Sequence, residues 1–220
     1  MNTSAMKSDL KNIVCFGDSI TEVKTVDELR RWPTQLALKL NVWRPDSFRV
    51  FNRGVSGDTT DEGAARIESD ITPHLPELVV VEFGVNDCNV RPTVTVPRVS
   101  LEKFRENLGK IHRCITQLNG RMILLAGHFP LVERARPGGK PLKYTQGNGK
   151  SYAENYAPYY EVVQQMREEL ALSIIDMPSI IERKKIAMSE MVIEDGIHLT
   201  AQGNDFYAES VFEGLREILG

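Results

Sequence analysis

A three-layer α/β sandwich, with a five-stranded parallel sheet between helices on both faces, is the fold that this sequence of 220 residues predicts. Three observations carry the prediction. Short β-branched runs alternate with longer segments of helical period. Three of the runs are apolar nearly throughout, as strands buried on both faces are. Alternating strand and helix also favours right-handed crossovers, which place helices on either side of one sheet.

The strands are read in order at "NIVCF" (12–16), "FRVFN" (48–52), "ELVVVEF" (77–83), "RMILLAG" (121–127) and "LSIIDM" (172–177). Leu101, Phe104, Leu108, Ile111, Ile115 and Leu118 recur every three or four residues, the apolar stripe of an amphipathic helix. A second stripe runs through Tyr159, Val163, Met166 and Leu170. Thr200 is a plausible N-cap for a closing helix that carries Phe206, Val211, Leu215 and Ile218. Between the fourth strand and the second striped helix lies a long irregular stretch, residues 128–151, of the kind that forms lids or unstructured loops. No repeat or low-complexity tract divides the chain, so one domain over 1–220 is expected.

Composition narrows the class of function. With 41% hydrophobic and 26% charged residues the chain is that of a globular protein rather than a disordered one. Its net charge of -3 points away from nucleic acid and anionic membrane surfaces, and toward a small-molecule ligand. Cys15, Cys88 and Cys114 are too few and too widely spaced for a disulfide framework or a Cys-x-x-Cys metal pair. Reduced thiols, no apolar leader in "MNTSAMKSDLKN" and no run of about 20 apolar residues suggest a cytoplasmic protein with no integral membrane association.

In such sheets ligands bind beyond the carboxyl ends of the strands. Three polar segments fall there: "GDSIT" after the first strand, "NRGVSGDTT" after the second and "GVNDCN" after the third. Near the other end, in "EDGIHLTAQG", Asp195 precedes His198 by three residues, a spacing that in a turn of helix lets two side chains meet. A carboxylate there would fix the imidazole tautomer while the other ring nitrogen takes a hydroxyl proton, the logic of an activated serine, with Ser19 as nucleophile. A serine that attacks a carbonyl also needs donors where negative charge develops. The backbone N–H of Gly54, unobstructed by a Cβ, the side-chain amide of Asn86 and the N–H of Ser19 are the candidates.

These four blocks resemble the SGNH or GDSL hydrolases in content and order: "GDSIT" with Ser19, "NRGVSGDTT" with Gly54, "GVNDC" with Asn86, and "DGIHLT" with Asp195 and His198. They run from residue 17 to residue 203. The resemblance implies a flavodoxin-like sandwich and a serine esterase without metal or organic cofactor, in which Ser19, Gly54 and Asn86 form the oxyanion hole. Short acyl esters or O-acetyl groups are the expected substrates; thioester or lysophospholipid cleavage and acyl transfer would use the same site.

Neighbouring polar residues have plainer readings. Asp18 reads as a helix cap and Asp87 as an Asx-turn, neither of them catalytic. Cys88 reads as a small packed side chain. His74, His112 and His128 lack ligand spacing, and His128, at the end of the fourth strand, reads as a structural hydrogen-bonding group. "GNGKS" (147–151) fails as a phosphate loop, because Tyr144 stands where the first glycine is needed. Arg134, Arg136, Lys140, Lys143 and Lys150 read as a solvated basic stretch. An α/β-hydrolase would require a G-x-S-x-G elbow, which is missing. A nucleotide or flavin module, or a silent binder on this fold, would leave Asp195 and His198 without a task.

Overall fold

The computed structural model describes residues 10–128, 146–187 and 190–220. Five strands, β1 (Lys11–Gly17), β2 (Phe48–Gly54), β3 (Leu78–Glu82), β4 (Arg121–Ala126) and β5 (Ser173–Asp176), form one sheet in the order β2-β1-β3-β4-β5, and every pair is parallel. The residues that predicted β1 and β3 explain their central place: Ile13 to Phe16 and Leu78 to Val80 have no accessible surface, so each is covered on both sides.

Helices follow the strands: α1 (Ser19–Glu22), α2 (Trp32–Trp43), α3 (Thr60–Ala65), α4 (Ile67–Asp70), α5 (Leu101–Gln117), α6 (Tyr152–Glu169), α7 (Met177–Lys184) and α8 (Ala201–Leu219). Helix α2 packs on β2 and α8, whereas α5 packs against α3, α6 and β4. Phe104, Leu108, Ile111 and Ile115 of α5 are buried as their spacing requires, but Leu101 in its first turn is partly exposed at 39%. The second stripe also begins earlier than its sequence suggests: Tyr152 and Tyr156 are buried with Tyr159, Val163 and Met166, while Leu170 is the exposed C-cap of α6. Thr200 caps α8 by accepting from the N–H of Gly203. Of the irregular stretch expected at 128–151, residues 129–145 lie outside the described residues, and so do Arg134, Arg136, Lys140 and Lys143.

The chain leaves β1 to reach β2 on one side of the sheet and later returns to β3 on the other, so β1 and β3 flank the switch point where a crevice opens. Register brings the three strand ends level there, with Gly17 opposite both Gly54 and Glu82.

Candidate active site

Ser19 is the first residue of α1, immediately after β1, with Asp18 as the N-cap whose Oδ1 accepts from the N–H of Ile20 at 2.9 Å. The helix is braced from beneath by Trp32, fully buried, whose indole N–H donates to the carbonyl of Ile20 at 2.7 Å. A first-turn N–H has no intrahelical acceptor. Among the described residues nothing accepts from that of Ser19.

The segment with Asp195 and His198 is a compact turn, not the turn of helix that their spacing suggested. Val192 and Leu199 form an antiparallel bridge, and Gly196, at φ +75°, reverses the chain between them. Oδ1 of Asp195 accepts from the N–H groups of Ile197 and His198, both at 2.9 Å, which leaves Oδ2 to meet Nδ1 of His198 at 2.6 Å. Three hydrogen bonds meet one carboxylate here; in the interior of a helix the two N–H groups would be spent on carbonyls four residues back. Burial alone would raise the Asp195 carboxyl, but the bonds from the His198 ring and the two backbone N–H groups outweigh it and hold the group at about 2.

The other ring nitrogen, Nε2 of His198, lies 2.8 Å from Oγ of Ser19, a contact between residues 179 positions apart. Nδ1 then carries the proton toward Asp195, and Nε2 is the acceptor for the serine hydroxyl. The turn is pinned to the body of the protein at two carbonyls. Thr25 donates to Leu199 at 2.7 Å, and Nε2 of His128 donates to Ile197 at 2.7 Å while its Nδ1 accepts from the hydroxyl of Tyr207. Burial pushes His128 down to about 4, so it is neutral and acts as the structural linker that its sequence position suggested.

The expected anion donors are differently engaged. Gly54 ends β2 hard against α1, where a Cβ would come 2.1 Å from the backbone nitrogen of Glu22, so only glycine fits. Its N–H donates to Oδ1 of Asn52 at 3.0 Å. The amide of Asn86 donates to Oδ2 of Asp18 and to the carbonyl of Asp58, both at 3.0 Å, so both of its hydrogens have protein acceptors. These acceptors were not legible in the sequence.

Beneath them is a group of buried acids. Glu82 and Asp18 share a hydrogen bond, and Thr21 donates to Glu82 at 3.2 Å. Burial and the adjacent Asp18 charge push Glu82 well up, so the proton of the pair resides on Glu82 and leaves Asp18 as the acceptor for Asn86. An acid in the apolar run "LVVVEF" was the one signal for this. Asp87 is not the local Asx-turn it was expected to be: its Oδ1 accepts from the N–H and hydroxyl of Thr60, tying the start of α3 to the loop after β3. Burial pushes it up to about 7, and its Oδ2 has no partner among the described residues. Cys88 is fully buried and its thiol donates to the carbonyl of Val85.

The model of the GDSL-like lipase/acylhydrolase family matches residues 15–206. The chain belongs to that family. An arylesterase of Vibrio mimicus is 25% identical over 96% of this chain and 92% of its own length. The lipoprotein YqeF of Bacillus subtilis is 28% identical over 68% of this chain, but over only 56% of its own length. A lipase/acylhydrolase crystal structure from Enterococcus faecalis superposes with a TM-score of 0.72 at 22% identity, over 94% of this chain and 96% of that one. The sandwich and the family resemblance expected from the four blocks are therefore borne out, and the family is one of ester hydrolases. Among the described residues no helix is long and apolar enough to cross a membrane.

Proposed function

We propose that this chain is a serine esterase, a single domain over 1–220, that cleaves short acyl esters or O-acetyl groups through an acyl-enzyme. Ser19 is the nucleophile, His198 the general base and then acid, and Asp195 the group that orients and charges the imidazole. The contact of Ser19 Oγ with His198 Nε2 at 2.8 Å, backed by the 2.6 Å contact of His198 with Asp195, is the observation that carries this reading.

Oγ of Ser19 attacks the carbonyl carbon as its proton passes to Nε2, and the resulting imidazolium is stabilised by the ionised Asp195. Negative charge gathers on the former carbonyl oxygen, for which the N–H of Ser19, the N–H of Gly54 and the amide of Asn86 are the proposed donors. Breaking the ester C–O bond releases the alcohol, which takes the proton from His198. Water then repeats the sequence on the acyl-enzyme, returning Ser19 and the free acid. No metal or organic cofactor enters these steps, and the free thiols of Cys15, Cys88 and Cys114 favour a cytoplasmic setting.

The test is covalent. A fluorophosphonate probe should label the wild-type protein once and p-nitrophenyl acetate should be hydrolysed, with both signals absent in a folded Ser19→Ala variant. Labelling or turnover that survives this substitution would put the nucleophile elsewhere.

A further inference from the structure

One guanidinium bonds the strand ends that lead to Ser19 and Gly54 directly and reaches Asn86 through Asp58. Arg66, at the break between α3 and α4, donates through Nη2 to the carbonyl of Gly17 at 2.8 Å and through Nη1 to that of Arg53 at 2.9 Å. These are the last carbonyls before the Asp18–Ser19 turn and before Gly54. Nε donates to Oδ2 of Asp58 at 2.7 Å, and the carbonyl of that same Asp58 accepts from Asn86. Nη1 also meets Oδ2 of Asp70 at 2.6 Å. The planar group lies 4.2 Å from the centre of the Phe16 ring, and the side chain is only 15% exposed.

We propose that Arg66 is a positioning residue for the reaction: its guanidinium sets the separation of the Ser19, Gly54 and Asn86 donors by bonding Gly17, Arg53 and Asp58 together. This inference rests on the esterase reading above. A planar fork with five fixed donors can satisfy two carbonyls and two carboxylates that lie in different directions. An ammonium group cannot, because its three donors diverge from a single atom. Donor placement is where such rigidity matters, since an oxyanion hole acts only if its N–H groups already point at the charge that forms.

The contacts supply an internal control. The carbonyl of Asp58, in the loop after β2, accepts from Asn86, whereas Asp70 anchors Arg66 from α4. The experiment measures kcat and KM for p-nitrophenyl acetate, together with the thermal midpoint, for Arg66→Lys, Asp58→Asn, Asp70→Asn and the Arg66→Lys/Asn86→Ala double variant. Arg66→Lys should lower kcat by about 10- to 100-fold with KM within about 2-fold, the scale of misplaced catalytic geometry. In the Asn86→Ala background the same change should cost several-fold less than in wild type, because one of the three donors it positions is gone. If Arg66→Lys does not fold, Asp58→Asn should lower kcat while Asp70→Asn does not. Wild-type kcat in Arg66→Lys, equal losses in both backgrounds, or matched effects of Asp58→Asn and Asp70→Asn would overturn the proposal. An inactive wild type, or an active Ser19→Ala protein, would instead strike at the esterase reading itself.

Discussion

The two halves of the candidate site are prepared differently. On the proton-transfer side, Ser19, His198 and Asp195 bond to one another in a line, and every contact is one the proposed reaction uses. On the anion side, Gly54 and Asn86 spend their N–H groups on Asn52, Asp18 and the Asp58 carbonyl. The first half is assembled before substrate arrives. In the second, a carbonyl oxygen must compete with acceptors the protein already supplies, which keep the half-buried N–H groups satisfied meanwhile. Of the three proposed donors, only the N–H of Ser19 has no acceptor among the described residues.

That contrast can be tested by breaking each half. The largest effect after loss of Ser19 is expected for Asp195→Asn. The amide keeps the shape but cannot charge-stabilise the imidazolium and favours the wrong tautomer, so kcat should fall by roughly 10⁴, the scale known for serine proteases. A loss below about 10-fold would show that the line of contacts is not used. Asn86→Ala should cost about 10² to 10³ in kcat with little change in KM, because its amide serves charge that appears late. Unchanged turnover there would mean that Asn86 remains with Asp18 and Asp58 throughout.

The smallest effect is one of stability. Asp87 is pushed up to about 7 from an ordinary 3.8, so folding favours its protonated form. Its contribution is fully present below the ordinary carboxylate range and is lost as pH rises through about 7. Glu82 and Asp18 act in the same direction. The lowered His128 acts the other way, adding stability as pH rises from about 4 to 6.5, so the readout is the difference between proteins: from pH 4 to 8 the urea midpoint of wild type should fall relative to that of Asp87→Asn. Identical slopes would mean that Asp87 ionises in the folded protein as freely as in the unfolded chain.

Much of this was legible in the residues. The apolar runs of β1 and β3 are readable because burial on both faces leaves no polar position, and Thr200 marks the start of α8 by its own capping chemistry. Other features were hidden for physical reasons. Helix α2 buries Trp32, Leu36 and Leu40 but exposes Leu38 and Val42, which blurs its apolar stripe. The meeting of Asp195 with His198 was foreseen, but its means was not: a carboxylate that organises the surrounding backbone looks the same in sequence as one on a helix face.

By itself the sequence determined that three polar blocks would gather at the carboxyl edge of one parallel sheet, since strand and helix periods are local and the crossover rule does the rest. Tertiary structure alone decided where each N–H and carboxyl finds its partner. Asn86 with Asp18, Glu82 with Thr21, and Arg66 with Gly17 are contacts across 68, 61 and 49 positions. A polar side chain carries its bonding capacity in its own chemistry, but its partner is chosen by packing, and no local pattern records that choice.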